Sequence, residues 1–148
     1  MKKTIWFDMD GTLADLYSVE GWLADLENYD PRPYKEATTM VNMRLLARLL
    51  NALHNHYNIG VISWLSKTST PEYDMQVTKV KKEWLGKHLK SVTFDKIHIV
   101  KYGTPKSNFA KVGDILFDDE IGNRTNWIGD AFDETEIINT LKGLTSVL

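Results

Sequence analysis

Two carboxylates, Asp8 and Asp10, stand one residue apart directly after a short apolar run at residues 4–7. Two anions at the mouth of a buried strand repel each other and resist the loss of water, unless a cation compensates them. Carboxylate and main-chain carbonyl oxygens are the ligands that Mg²⁺ prefers. One carboxylate could hold the metal and attack a phosphoryl group while its neighbour transfers protons. The alternative interpretation is a turn with two hydrated acids, which needs no chemistry.

A second pair of acids, Asp118 and Asp119, ends another apolar run at residues 114–117. Alone, the sequence Asp-Asp-Glu is typical of a surface turn. Two apolar strands that each end in paired acids are better explained by one shared site, because ligands bind beyond the carboxyl ends of parallel strands. Ser63, at the end of a third apolar run, would add a neutral donor for a phosphate oxygen.

Apolar, β-branched runs alternate along the chain with segments whose apolar residues recur at helical spacing, which predicts an α/β fold with a parallel sheet. The predicted strands cover 4–7, 58–63, 96–100, 114–117 and 125–129. The predicted helices cover 15–28, a leucine-rich stretch that Thr38 or Thr39 could cap and that ends near residue 54, then 72–89 and 135–144. On the helix over 72–89, a hydrated outer face is expected for Lys79, Lys81, Lys82 and Lys87.

The composition bounds the class of protein. A chain of 148 residues with 43% hydrophobic and 26% charged residues is expected to form one soluble domain. Its net charge of −2 gives no general attraction to nucleic acid or to an anionic membrane. The chain has no cysteine, so nothing indicates an oxidising compartment. No segment approaches the roughly 20 apolar residues of a membrane span, and Asp8 ends the apolar start too early for a signal peptide. A cytoplasmic location is therefore expected.

The run Asp8-Met-Asp-Gly-Thr-Leu-Ala-Asp15 resembles motif I of the haloacid dehalogenase superfamily of phosphohydrolases, in the form typical of its 5′(3′)-deoxyribonucleotidase branch. The segment Lys81-Lys-Glu-Trp-Leu-Gly-Lys-His88 is similar to a helix of the same branch. The resemblance implies a Rossmann-like hydrolase core in a single domain over residues 1–148. It also implies a small helical cap, inserted after the first strand at residues 15–40.

The same resemblance implies a role for each acid. Asp8 is expected to attack phosphorus and form an aspartyl-phosphate, and Asp10 is expected to act as general acid and base. Mg²⁺ is expected to be held by a carboxylate oxygen of Asp8, the main-chain carbonyl of Asp10, and Asp119. Asp118 would support the phosphate lysine or a metal-bound water, although Asp118 and Asp119 could exchange these roles.

Two further residues match the superfamily's phosphate-binding positions. Ser63 corresponds to the hydroxyl of motif II, and Lys106 corresponds to the lysine of motif III, so both are expected to bind phosphoryl oxygens. Lys101 is a rival for the lysine, because it lies in the same loop before the strand at 114–117.

The insertion at 15–40 carries aromatic and cationic residues that could bind a substrate. Trp22 is interpreted either as a ring that stacks on a base or as a side chain that packs the cap onto the body. The expected substrate is a small phosphate monoester, and the resemblance favours a deoxynucleoside monophosphate. The alternatives are a phosphatase for a sugar phosphate or a nucleic-acid end, and a non-catalytic protein that binds a phosphate ligand. A nucleic-acid partner is not favoured, and a homodimer stays open because the cap is short.

Overall fold

The sheet that positions the acids has five parallel strands. The computed structural model describes residues 2–148, and the strands follow the spatial order Lys96–Val100 (β5), Tyr57–Trp64 (β4), Lys3–Phe7 (β1), Ile115–Phe117 (β6) and Asp130–Phe132 (β7). A separate antiparallel pair joins Ala14–Asp15 (β2) to Thr38–Thr39 (β3). In the central strand β1, Ile5 pairs with Ile59 on one side and with Ile115 on the other. This arrangement confirms the predicted α/β fold with a parallel sheet.

Helices flank this sheet. Within residues 2–148 the α-helices are Trp22–Glu27 (α1), Arg32–Glu36 (α2), Met43–Leu53 (α3), Pro71–His88 (α4), Ile121–Thr125 (α5) and Ile137–Thr145 (α6), with 3₁₀ turns at Leu16–Ser18, Lys106–Phe109 and Glu134–Glu136. Residues of α3, α4 and α6 share one core cluster with the central strand of the sheet. The predicted leucine stripe of α3 is buried and packs in this cluster with Ile5 and Phe7 of β1. None of the helices in the described part of the chain is long and apolar enough to cross a membrane.

The segment between β2 and β3 differs from its prediction. One continuous helix over 15–28 is wrong, because α1 starts only after Gly21, which adopts the left-handed conformation with φ 75° and interrupts helical geometry. Thr38 and Thr39 cap no helix and form β3 instead. Asn42 caps α3 by accepting a hydrogen bond from the main chain of the first turn at 3.1 Å. The insertion therefore consists of two short helices between the strands of the antiparallel pair.

The end of the chain also departs from its prediction. A strand over 125–129 is wrong, because α5 ends at Thr125 and the strand that pairs with β6 is Asp130–Phe132. Trp127 is buried within the intervening turn, where its Nε1 donates a hydrogen bond to the Asp114 carbonyl at 3.0 Å. An apolar residue in this stretch thus fills the space beside β6 without belonging to a strand.

Gly60 of β4 provides a test of the sheet packing. It pairs with Trp6 of β1, whose side chain is fully buried, and a Cβ atom at residue 60 would lie 2.5 Å from the Trp6 ring. Because a close-packed core cannot absorb this overlap, Gly60→Ala is expected to lower the free energy of unfolding by about 1–3 kcal/mol in a denaturant titration.

Gly86→Ala is the matched control, because Gly86 lies in α4 with open space around it. This substitution is expected to raise the free energy of unfolding by roughly 0.5–1 kcal/mol, since alanine favours a helix more than glycine does. A Gly60→Ala protein as stable as the Gly86→Ala protein would contradict the packing described here.

Candidate active site

The carboxyl ends of β1, β4 and β6 open into a cavity of about 410 Å³. Asp8 and Asp10 line it directly after β1, Trp64 lines it at the end of β4, and Asp118 and Asp119 line it after β6. Side chains from the segment around α1 and α2 complete the wall. The structure therefore brings the two acid pairs of the sequence into one cavity.

Backbone geometry holds the two acid pairs against each other. The Asp8 N–H donates to the Phe117 carbonyl at 2.9 Å, which extends the contact of β1 with β6 up to the acids. Gly11 follows with φ 82°, and a Cβ atom there would collide with the carboxylate of Asp119. The Thr12 hydroxyl lies 3.1 Å from Asp8 Oδ2 and 3.3 Å from Asp119 Oδ1. Since a hydroxyl has one proton, it can donate to only one of these carboxylates at a time.

Lys106 is the cation between two of these acids. Its side chain is buried, and its Nζ donates to Asp8 at 2.8 Å and to Asp118 at 2.7 Å. Burial alone would lower the pKa of Lys106, but the two carboxylates outweigh it and raise the pKa, so the ammonium stays charged. Its rival, Lys101, is exposed and does not line the cavity. The geometry therefore favours Lys106 as the lysine of the site.

Three carboxylates form a cluster that could hold a metal ion. Asp8, Asp118 and Asp119 each place one oxygen within 4.8 Å of the others. Burial, followed by the charge of Asp8, raises the pKa of Asp119 to about 8 and that of Asp118 to about 6. The raised pKa values mean that Lys106 does not offset the negative charge of all three carboxylates. Three carboxylates supply only oxygen ligands, which fit a hard divalent cation such as Mg²⁺. The carboxylate of Asp10 is not part of this cluster, so its predicted place at the metal depends on its main-chain carbonyl.

A second buried lysine, Lys81 of α4, lies behind Asp10. The interpretation of Lys81 as part of a hydrated outer face is wrong, since its side chain is 1% exposed. Its Nζ donates to Asp10 Oδ2 at 2.9 Å, to Ser63 Oγ at 2.7 Å and to the Trp64 carbonyl at 2.8 Å. Burial raises the pKa of Asp10, Lys81 opposes that shift, and Asp8 adds to it, so the net pKa is above the ordinary value.

The sequence does contain a signal for the position of Lys81. It lies four residues after Val77 and four residues before Leu85, both of which are buried on the inner face of α4. Residues four apart share one face of a helix. A lysine at such a position must find partners inside the protein.

Ser63 is the last residue but one of β4, next to its predicted place at the strand end, but its side chain is fully buried and does not line the cavity. Its hydroxyl accepts the hydrogen bond from Lys81. The contact of Ser63 with a phosphoryl oxygen stays a prediction. In the loop after β4, the hydroxyl-bearing side chains that do line the cavity belong to Ser66 and Thr68.

Aromatic rings form much of the cavity wall, and the ring centroid of Trp64 lies 5.5 Å from Lys106 Nζ. Trp22 lines the cavity, and its ring centroid lies 5.0 Å from that of Tyr17 in an edge-to-face arrangement. A contact of Trp22 with a substrate stays a prediction. Trp64 and Tyr102 form a second pair with centroids 5.0 Å apart. Burial raises the pKa of Tyr17 above its ordinary value, so its ring stays a neutral phenol. The wall therefore suits a flat, weakly polar group.

No family model and no curated protein sequence matches the chain. Among solved structures, it is similar to D,D-heptose 1.7-bisphosphate phosphatase from B. bronchiseptica, a crystal structure complexed with magnesium and phosphate. The TM-score is 0.59, the match covers 99% of each chain, and the sequence identity is 9%. At this identity the likeness concerns the fold alone, and it agrees with a parallel α/β sheet flanked by helices.

The acid cluster gives a pH dependence that can be tested. The pKa of Asp119 in the folded protein, about 8, lies above the ordinary value of 3.8, so the folded protein retains a proton that the unfolded chain loses. Without a divalent cation, stability is therefore expected to fall as the pH rises through this window. Because metal ligands must be deprotonated, saturating Mg²⁺ should raise the melting temperature by about 5 °C or more near pH 8.5 and by less near pH 6.

Calorimetry or a dye-based melt with and without Mg²⁺ would measure these shifts. Asp119→Asn should abolish most of the Mg²⁺-induced shift, whereas Asp130→Asn, at an exposed position outside the cavity, should preserve it. A shift of equal size at both pH values in the unsubstituted protein would contradict a cation held by this cluster.

Proposed function

We propose that the chain is a magnesium-dependent phosphatase that hydrolyses a small phosphate monoester through an aspartyl-phosphate on Asp8. The observation that carries the proposal is the environment of Asp8, whose carboxylate faces the cavity between Lys106 and the acids Asp118 and Asp119. In that position, a phosphoryl group would meet a nucleophile together with two sources of positive charge. The likeness in fold to a phosphatase complexed with magnesium and phosphate supports the same class of reaction.

The side chains of Asp8, Asp118 and Asp119 and the main-chain carbonyl of Asp10 would hold Mg²⁺, which supplies positive charge to polarise the phosphoryl oxygens. Lys106 donates to Asp8 and Asp118 and so keeps one of its three N–H donors for a phosphoryl oxygen. Lys106 also lines the cavity, so that donor can reach a substrate. Its raised pKa keeps it positive while negative charge builds up on the phosphoryl group.

The two acids of the first pair divide the chemistry. Asp8 attacks phosphorus, so that an O–P bond to its carboxylate forms while the ester P–O bond breaks and leaves its electron pair on the departing oxygen. Asp10 gives its proton to that oxygen. In the second step Asp10 takes a proton from the water that attacks phosphorus, and Asp8 and inorganic phosphate are released. The raised pKa of Asp10 suits the first step, which needs its protonated form.

As the substrate we propose a deoxynucleoside monophosphate, held under a cap formed by residues 15–40. The aromatic wall offers rings on which a base can stack, and the resemblance at residues 8–15 supports the same class. Besides Lys106, the only cation among the described residues that line the cavity is Lys67, and Glu27 lines it as well. A second phosphate group would therefore find little positive charge, which favours a monophosphate over a bisphosphate.

A sugar monophosphate is the second candidate. The observation that favours it is the likeness in fold to a protein named for a heptose bisphosphate. A sugar would use the hydroxyl groups of Ser66 and Thr68 along the cavity and would need no stacking partner. A nucleotide would therefore depend on Trp22 for binding, whereas a sugar monophosphate would not.

Asp8→Asn tests the nucleophile. An amide oxygen is a poor nucleophile, so the rate of phosphate release is expected to fall by at least about 10³-fold, while the melting temperature stays near or above that of the unsubstituted protein, because one buried negative charge is removed. Asp130→Asn is the control at an exposed position and should keep full activity. A folded Asp8→Asn protein with substantial turnover would refute the aspartyl-phosphate.

Trp22→Ala tests the substrate class. Phosphate release would be measured with Mg²⁺ and with chelator on deoxynucleotides, ribonucleotides, sugar phosphates, a 5′-phosphorylated oligonucleotide and an aryl phosphate. The expected result is Mg²⁺-dependent release that is fastest for deoxynucleotides, and a KM for them that rises about 5- to 150-fold in the variant, since stacking on a base contributes about 1–3 kcal/mol.

For a phosphate ester without a ring, such as glycerol phosphate, the same substitution should change KM little. Release from sugar phosphates alone, unaffected by Trp22→Ala, would select the second candidate. Tight phosphate-ligand binding without any release would instead indicate a non-catalytic protein on this fold.

A further inference from the structure

One lysine of α4 points into the protein, whereas its neighbours point outwards. The side chain of Lys81 is 1% exposed, whereas that of Lys79 is 80% exposed and Lys82 is exposed as well. Burying an ammonium group costs several kcal/mol unless its partners compensate it. The position of Lys81 therefore calls for an explanation that the solvated lysines of the same helix do not need.

The partners of Lys81 use all of its donors. An ammonium group has three N–H donors, and those of Lys81 are directed to Asp10 Oδ2, to Ser63 Oγ and to the Trp64 carbonyl at 2.7–2.9 Å. Lys81 also does not line the cavity. It consequently has neither a free donor nor a path to a substrate, unlike Lys106, so its effect must be exerted through Asp10.

The contact fixes one oxygen of Asp10 and leaves the other available. Asp10 lines the cavity with a side chain that is 15% exposed. Its Oδ2 accepts the hydrogen bond from Lys81, and no hydrogen bond within residues 2–148 engages Oδ1. The carboxylate is also held apart from the cluster of Asp8, Asp118 and Asp119. Lys81 thus binds the acid to which the proposed reaction assigns proton transfer, whereas Lys106 binds two of the acids that could hold a cation.

Part of the insertion packs over the contact between Lys81 and Asp10. Tyr34 of α2 is 5% exposed, and its ring lies over Lys81, with 4.9 Å between Nζ and the ring centroid. One turn further along α4, Trp84 Nε1 donates to the Ala37 carbonyl at 2.8 Å. These contacts keep water away from the ammonium group of Lys81, which strengthens the ion pair and restricts its geometry.

We infer that Lys81 is a positioning residue, which holds the Asp10 carboxylate so that its free oxygen, Oδ1, exchanges the proton with the leaving group and with the attacking water. The inference rests on the proposed phosphatase function and assigns a role in it to a residue outside the acid pairs and Lys106. A merely structural lysine would occupy the same place, but it would affect all substrates equally. The two roles therefore differ in how the loss of Lys81 depends on the leaving group.

The test compares two esters in the full-length protein. An alkyl phosphate such as a deoxynucleoside 5′-monophosphate needs a proton on its leaving oxygen, whereas p-nitrophenolate departs without one. Lys81→Met is expected to lower kcat/KM for the alkyl ester by about 100-fold or more and kcat/KM for p-nitrophenyl phosphate by less than about 5-fold, because kcat/KM reports the steps up to phosphorylation of Asp8 and not the later attack of water. Lys82→Met, at an exposed position of the same helix, should leave both rates unchanged.

A double-mutant cycle with Asp10→Asn provides the second measurement, and it also removes the unpaired buried charge that could unfold Lys81→Met. In the Asp10→Asn background, Lys81→Met is expected to cost less than about 3-fold in activity, because the carboxylate that it positions is already absent. An equal loss in both backgrounds, or an equal loss of kcat/KM on both esters, would overturn the inference and leave the proposed function intact. An unsubstituted protein that hydrolyses neither ester would overturn both.

Discussion

Four carboxylates meet at the carboxyl edge of the sheet, and their mutual repulsion is the constraint to which the rest of the site is fitted. Two buried lysines on different elements offset this repulsion. Lys106 reaches Asp8 and Asp118 from the loop before β6, and Lys81 reaches Asp10 from α4. The acids in turn compensate the cost of burying each lysine, because an unpaired ammonium group in the core would strongly destabilise the fold. The burial of the acids and the burial of the two lysines therefore depend on each other.

The acids could be predicted because their signal is local. An apolar strand followed by paired aspartates can be recognised within ten residues, and the parallel sheet then brings the strand ends together. Lys81 could not be found in that way, because its contact joins residues 71 positions apart. Its helical spacing relative to Val77 and Leu85 placed it on the inner face, but the abundance of lysine in that helix favoured a solvated interpretation.

Errors in secondary structure had a different cause. The apolar residues at 16–26 have helical spacing, but the left-handed backbone at Gly21 divides them. At the end of the chain, the buried ring of Trp127 fills a turn, which periodicity does not distinguish from a strand. In both places tertiary packing and one backbone conformation overrode the local pattern. Neither error moved a predicted acid, because the acids depend on β1 and β6 alone.

Helix α4 contacts both the body of the protein and the small insertion. Its apolar face packs on the body of the protein, and its first turns hold the insertion through the Tyr73 hydroxyl, which donates to the Asp30 carbonyl at 3.0 Å. Trp84 adds the hydrogen bond to Ala37. These contacts attach the insertion to α4 at several points. The cavity wall that contains Trp22 and the lysine that binds Asp10 are therefore both positioned by α4.

The pairing of acids with lysines also bears on the order in which ligands can enter. With all groups ionised, two lysines against four carboxylates leave a net charge of two negative units at the edge of the sheet. A phosphate ester carries the same sign, so it is repelled from an edge that lacks a divalent cation. Electrostatics alone thus favours a sequence of events in which the cation arrives first and the ester second. In the proposed reaction a bound Mg²⁺ would bring this count only to zero, which limits how tightly inorganic phosphate would be retained after hydrolysis.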